Sequence, residues 1–265
     1  MLRRQERKAL LARARAEIEA RTQARAALEH AEYERKRAAR DAARAAGKKP
    51  RGKQPQPPGA APGPKGQVNF TDPESRIMPV SGGGFEQCYN AQAAVEVGSR
   101  LIVGQRVSDA PNDKEPLVPS LGAVAAEAGP VTEVLIDSGF LSEAAVRAVE
   151  TQPDGSSLRV LAAMGRERHG RRADDLEKKA DPAEPAPDAP WAERMAHRVA
   201  TKAGRARYKL RQQTVEPIFG IIKAALGFRS FRLRGLAGAA TEWTLASLAY
   251  NLRRLHRLGA NLSAA

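Results

Sequence analysis

The chain has 265 residues, with 44 Lys+Arg against 30 Asp+Glu and a formal net charge of +14. The single cysteine, Cys88, excludes a disulfide scaffold and, beside four scattered histidines, a Cys/His zinc site. No run approaches the ~18 apolar residues of a membrane span, and the basic N-terminus lacks the apolar stretch of a signal peptide, so the chain reads as a soluble intracellular protein of a reducing compartment.

The elements follow in chain order. Residues 1–47 are dominated by Ala, Arg and Glu, with no Pro and no Gly before Gly47, and predict one long basic helix. Leu11 and Ile18 are seven apart, but Arg25 comes next; no heptad is sustained, and a solvated helix fits better than a coiled coil. Alanine supplies 50 residues, 15 of them in the first 50, so the core must come from later in the chain. Residues 48–67 (KKPRGKQPQPPGAAPGPKGQ) predict a disordered Pro/Gly-rich linker. VNFTD (68–72) predicts a short strand running into a turn at Pro73, and SGGG (81–84) a flexible turn. FEQCYNAQAAVEV (85–97) and RLIVGQRV (100–107) predict strands joined by a hairpin-like Gly98-Ser99 connection. SDAPND (108–113) is a loop in which Asp113 is placed to cap a helix over about 114–128. VTEVLID (131–137) predicts a strand, Ser142 caps a helix to about 150, and LRVLAAM (158–164) predicts another strand. The charged, Pro-rich stretch 165–190 reads as an inserted loop. Residues 192–226 are mostly helical in pattern, and 236–258 predict a final helix whose apolar residues are Leu236, Trp243, Leu245, Leu248, Leu252 and Leu255. Strands in succession, then strand–helix–strand, is a mixed α/β pattern.

Charge is segregated along this order. Residues 1–67 carry net +11, 68–200 net −7 and 201–265 net +10. Basic ends favour a polyanion, and an acidic middle can supply metal-binding carboxylates. Asp72 and Asp137 fall at expected strand ends; Glu216 lies in the helical segment YKLRQQTVEPIFGIIK (208–223). Acids at the carboxyl ends of strands face the ligand crevice of such sheets. Magnesium takes a few carboxylates together with water and phosphate oxygens, and a two-metal site draws its carboxylates from several elements. Glu74, Glu96, Asp109 and Asp113 compete for the same role, Asp113 most simply as a helix cap. Around Glu216, the residues Val215, Phe219, Ile222 and Leu226 form an apolar stripe at helical spacing. Glu216 and Lys223 share a neighbouring face, about 20° apart. Pro217 either starts a new helix or kinks an old one. In FRSFRLRG (228–235), Arg229, Arg232 and Arg234 alternate with Phe228, Phe231 and Leu233, which predicts arginines outward onto phosphate and apolar residues inward.

Taken together, NFTDPESRIM (69–78), YNAQ (89–92), ND (112–113), IDSGF (136–140), VEPIFGIIK (215–223), FRSFRLRG (228–235) and EWTLASLAYNLRRL (242–255) resemble the catalytic domain of bacterial insertion-sequence DDE transposases. The resemblance covers 68–164 and 201–258 in family order. It implies an RNase H-like fold over 68–258, a mixed five-stranded sheet flanked by helices whose first three strands are antiparallel, with 259–265 as a tail. It makes Asp72, Asp137 and Glu216 the catalytic, metal-binding acids for Mg²⁺ or Mn²⁺. Tyr208, Arg211 and Lys223 match the types of a Tyr, Arg, Glu and Lys pattern associated with DNA phosphate contacts, as would Arg229, Arg232 and Arg234 in the basic run. Two departures stand out: the Arg-to-Glu interval is one residue longer than the pattern, and Phe140 stands where a tyrosine is usual. A third is the basic helix of 1–47, which stands where relatives usually carry a helical DNA-binding domain and reads as the tail of a truncated one. The function implied is metal-dependent DNA strand cleavage and transfer at insertion-sequence ends, by a cytoplasmic, nucleoid-associated homodimer on paired ends, with no membrane partner. The alternatives are a non-catalytic DNA-binding remnant and an RNase H-like nuclease without strand transfer.

Overall fold

The computed structural model describes residues 2–47, 49–50, 52–59, 66–80, 82–110, 117–151, 158–164 and 180–259. The chain divides into two compact units, Met1–Cys88 and Tyr89–Ala265. The expected catalytic domain, 68–258, therefore has residues in both.

In the first unit, α1 runs Leu2–Ala45, as its composition predicts. It is a solvated helix, with Leu10, Leu11 and Leu28 exposed, and a ladder of ion pairs at helical spacing, among them Glu17–Arg21, Arg25–Glu29 and Glu32–Lys36, supports it. The described residues of 48–67 form no helix or strand. The strand expected at 68–72 does not form. Asn69 Oδ1 accepts from the Thr71 amide (3.0 Å) and hydroxyl (2.8 Å), and Ser75 bonds back to the Asp72 carbonyl, so side-chain bonds fold this stretch into turns instead of releasing it to a ladder. The strand comes later, as β1 (Arg76–Pro79), antiparallel to β2 (Phe85–Cys88).

In the second unit, β3 (Asn90–Val95) and β4 (Ile102–Ser108) form an antiparallel pair. Asp113 and 111–116 lie outside the described residues; of the helix expected over 114–128, only Leu117–Gly122 is α-helical, as α2, and the chain then leaves the helix and makes a short 3-10 turn at Ala126–Ala128. β5 (Glu133–Ile136), α3 (Glu143–Glu150) and β6 (Arg159–Ala162) form the expected strand–helix–strand unit, with β5 and β6 parallel and Ser142 at the N-cap position of α3. Of the expected insertion, 165–179 lies outside the described residues and 180–190 contains no helix or strand. Three helices complete the unit: α4 (Trp191–Ala200), α5 (Lys202–Ala224) and α6 (Gly235–Arg257).

The described strands pair two by two, in three two-stranded sheets, where one five-stranded sheet was expected. One edge shows why: residues 123–125 lie along β4, with a Gly104–Val124 bridge and the Ala125 amide donating to Val103 O at 2.8 Å. Two clusters of buried residues hold the unit. One joins Ile102 and Val107 of β4 to Ile218, Ile222, Trp243 and Tyr250 of the last two helices. The other joins Ile136, Val160 and Ala162 of the parallel pair to Leu117, Val146, Val149 and Met195.

The buried faces of the last two helices match the expected apolar residues only in part. On α5 the buried positions are Gly204, Thr214, Ile218 and Ile222; of the expected stripe, Ile222 is among them and Phe219 and Leu226 pack half-buried against the same cluster, while Thr214 and Ile218 extend the face to one side. On α6 they are Ala239, Trp243, Ala246, Ser247 and Tyr250, while Leu245, Leu248 and Leu252 are exposed. Small residues flanking Trp243 let α6 approach β4 closely, and the indole N–H finds the Gln92 carbonyl at 2.9 Å.

Candidate active site

The site starts where β5 ends. Asp137 follows Ile136 directly and caps the 3-10 turn Ser138–Phe140, its Oδ1 accepting from the Ser138 amide at 2.7 Å. Its other oxygen is left to face α5. That helix begins at a Thr201 cap, whose hydroxyl accepts from the Gly204 amide at 3.0 Å. It is tied to β5 twice in succession: Arg207 pairs with Glu133 at 2.6 Å, and the Tyr208 hydroxyl donates to the Ile136 carbonyl at 3.1 Å. One turn further along α5, Arg211 reaches Asp137 Oδ2 with Nη1 (3.6 Å) and Glu216 Oε1 with Nη2 (4.0 Å), while its Cζ stands 5.7 Å from the centre of the Tyr208 ring.

Two of the three expected acids thus meet at one guanidinium. The Arg211 side chain is only 18% exposed, against 56% for Asp137 and 67% for Glu216. A half-buried cation therefore sits behind two solvent-facing carboxylates. The Arg211 Nε is buried with no hydrogen-bond partner among the described residues, so donor capacity is left over at this point.

Pro217 does not break the helix. α5 runs unbroken from Lys202 to Ala224 with the proline inside it. The bond lost is the one to the carbonyl of residue 213, which is exposed and can be solvated instead. Glu216 therefore keeps its helical position, on the exposed side opposite Ile218, with Lys223 exposed two turns on.

Asp72 belongs to the first unit. It is half-buried in the turn that Ser75 closes. Arg76 donates to the carbonyls of Pro73, Glu74 and Ser75, and Arg21 of α1 reaches the Pro73 carbonyl, so the backbone around this acid is held from two sides.

The basic run after α5 is built as expected at its aromatic positions. Gly227, at φ +72, ends the helix. Phe228 and Phe231 then turn inward, meeting edge to face at 5.5 Å, and Arg229, Arg232 and Arg234 are exposed. Leu233 departs from the expectation, at 52% exposure. The residue that sequence reasoning missed is Glu242. Its Oε2 accepts from the amides of Arg232 (2.7 Å) and Leu233 (3.0 Å), pinning the run to α6. The available signal was that Glu216 and Glu242 are the only acids in 201–265.

Asp137 and Glu216 are carboxylates, the ligand type that a hard divalent cation takes, and both are exposed, at 56% and 67%. Among the described residues no group of three His, Cys, Asp or Glu side chains is placed to hold a metal ion, and no helix is long and apolar enough to cross a membrane.

The comparisons bear on this half of the site. Residues 184–256 match the family model described as Transposase DDE domain. The match takes in α4, which the sequence resemblance had left out, and contains Tyr208, Arg211, Glu216, Lys223 and the basic run; it stops short of Asp72 and Asp137. Neither a curated protein nor a solved structure gave a match.

Proposed function

We propose, from the match of residues 184–256 to the transposase DDE domain model, that the chain cleaves DNA strands in a metal-dependent reaction at the ends of a mobile element and joins the freed 3′ ends to a target. The observation that carries this reading is the convergence of Asp137 and Glu216 on Arg211 where β5 gives way to the α5 face.

In this reading Asp137 and Glu216 hold Mg²⁺ or Mn²⁺, and Asp72 joins them on the strength of the sequence resemblance. When bound, such ions activate water and stabilise the attacking and leaving oxygens of a phosphodiester, so no covalent protein nucleophile is required. The protein's own task is then positioning and charge neutralisation. Arg211 has the planar fork that suits a phosphate, and Tyr208, fixed to the Ile136 carbonyl, gives that fork a surface to rest on. Lys223 and the exposed Arg229, Arg232 and Arg234 extend the phosphate contacts along the strand, with Glu242 holding the run in place. Two copies acting on paired element ends complete the assembly, within an RNase H-like scaffold.

The test is nicking and joining of DNA that carries the inverted repeats of the element, with and without Mg²⁺ or Mn²⁺. Asp137→Asn and Glu216→Gln should each lower cleavage roughly 10²–10³-fold, the scale of losing one preorganised electrostatic contributor, with the melting curve retained. Full activity in either variant removes that residue from the mechanism. Cut ends without joined products would make the protein a nuclease, and salt-sensitive DNA binding without cleavage would make it a non-catalytic remnant.

A further inference from the structure

A second basic constellation lies at the other end of α6. A cavity of about 120 Å³ is lined by Arg100, Arg253, Arg254 and Arg257, with Tyr250 and Pro217 among its other walls. The four guanidiniums come from two separate elements, the last turns of α6 and the β3–β4 connection. None of them has a carboxylate partner among the described residues. The two acids of the surrounding segment are engaged elsewhere, Glu216 with Arg211 and Glu242 with the backbone of the 228–234 run. Glu96, the acid nearest in sequence to Arg100, spends its carboxylate on the amides of Gly98 (2.8 Å) and Ser99 (2.5 Å).

The cavity walls are rigidly set. Asn251 bonds both ways to Ile102, at 2.9 and 2.8 Å, and Arg254 Nε donates to the Ser99 carbonyl at 2.7 Å. Tyr250 donates to the Arg100 carbonyl at 2.9 Å. Arg100 itself stands at φ +60, alone among the described non-glycine residues in the left-handed region, a conformation that costs a residue bearing a Cβ. That backbone turn gives its carbonyl to Tyr250 while its side chain lines the cavity. A helix dipole accounts for basic residues in the last turn of α6, but it does not account for a fourth arginine brought in from another element in a strained conformation. Burial raises the Tyr250 phenol above its ordinary pKa, and Arg254, Arg100 and Arg257 act against that rise, so three of these charges bear on one hydroxyl.

We infer that this cavity is a phosphate clamp for a DNA strand, in which Arg100, Arg253 and Arg257 contact backbone phosphodiesters and Arg254 with Tyr250 holds the frame. The inference rests on the proposed DNA-cleaving function and extends it. Pro217, the residue after Glu216, forms part of the cavity wall, so a strand seated here lies within a few nucleotides of the candidate acid.

The experiment is fluorescence anisotropy of the full chain with a labelled DNA duplex over a salt series, beside the cleavage assay. An Arg100→Ala/Arg253→Ala/Arg257→Ala variant should bind at least tenfold more weakly near physiological salt. The slope of log K against log salt should become shallower by roughly one for each phosphate contact removed. The single variants Arg253→Ala and Arg257→Ala should each show part of this, which keeps the test intact should the triple variant fold poorly. A triple Arg→Lys variant should keep most of the slope, and Arg147→Ala on α3, where Arg147 pairs with Glu143, should leave it unchanged. Wild-type affinity and slope in the triple variant, with the parent protein binding and cutting DNA, would overturn the clamp and leave the proposed function standing. A parent protein that binds no DNA would overturn both. Loss in the triple variant of binding to phosphatidylserine vesicles, with DNA binding untouched, would assign the cavity to lipid headgroups and overturn the inference.

Discussion

Along α1, arginines meet acids of the same helix, three or four residues away, as in Glu17 with Arg21, Arg25 with Glu29 and Asp41 with Arg44, and only Arg21 and Arg40 among its described residues also reach backbone carbonyls beyond it. Along α5 and α6 they reach across the chain. Arg207 meets Glu133 and Arg211 meets Asp137, each 74 positions back, and Arg254 takes the Ser99 carbonyl from 155 positions away. The two regions carry nearly the same net charge, +11 for residues 1–67 and +10 for 201–265. Charge alone therefore does not distinguish a solvated helix from one that builds a site. The distance to the answering group does, because a local pair supports only its own helix, whereas a remote pair fixes two elements against each other.

This contrast can be tested by substitution. The largest effect is expected at Trp243, which is 2% exposed, stacked on Phe219 at 5.4 Å and bonded to the Gln92 carbonyl. Trp243→Ala should cost about 3–5 kcal/mol, read as a drop in the midpoint of denaturant unfolding. A smaller loss, about 1–3 kcal/mol, is expected for Gly204→Ala, since a Cβ there would fall 1.7 Å from the Arg198 carbonyl oxygen where α4 meets α5; an unchanged melting temperature would show that the corner can open freely. At the other extreme, Glu29→Ala on α1 removes one exposed pair and should cost about 0.2–0.5 kcal/mol, with α1 helicity by circular dichroism nearly unchanged.

A pH titration sharpens the same point at a turn. The Ser99 hydroxyl, with the Ser99 and Gly98 amides, holds the Glu96 carboxyl below the ordinary glutamate range. A depressed carboxyl contributes stability that is fully present above its unfolded value, about 4.3, and is lost as pH falls through the folded one. Glu96→Gln should remove this small acid limb from the stability profile and leave the neutral region flat.

The parts of the fold that could be read in the sequence are those fixed by local pattern. α1 follows from Ala, Arg and Glu without breakers, and β5–α3–β6 from two short apolar runs around a Ser142 start. Asp137 and Glu216 were identifiable as an acid closing an apolar run and an acid on a patterned helix. What sequence could not supply was set by long-range geometry. The leucines of α6 are larger and more apolar than its alanines, yet close approach to β4 selects Ala239 and Ala246 for the buried face and leaves Leu245, Leu248 and Leu252 outside. The stretch around Asp72 has strand-forming residues, but Asn69 and Ser75 compete for the backbone and make turns of it. Arg253 and Arg257 look like ordinary helix-end basic residues until Arg100 is brought beside them.

Arg211 gives the assembled protein an internal counterion. Two carboxylates drawn together repel. A guanidinium seated between Asp137 and Glu216 relieves that repulsion from within the chain. The charge of the two acids is therefore answered within the chain itself. In the proposed reading, Asp137 and Glu216 would exchange this guanidinium for a divalent ion rather than fill a void, and Arg211 would be left to contact a phosphate.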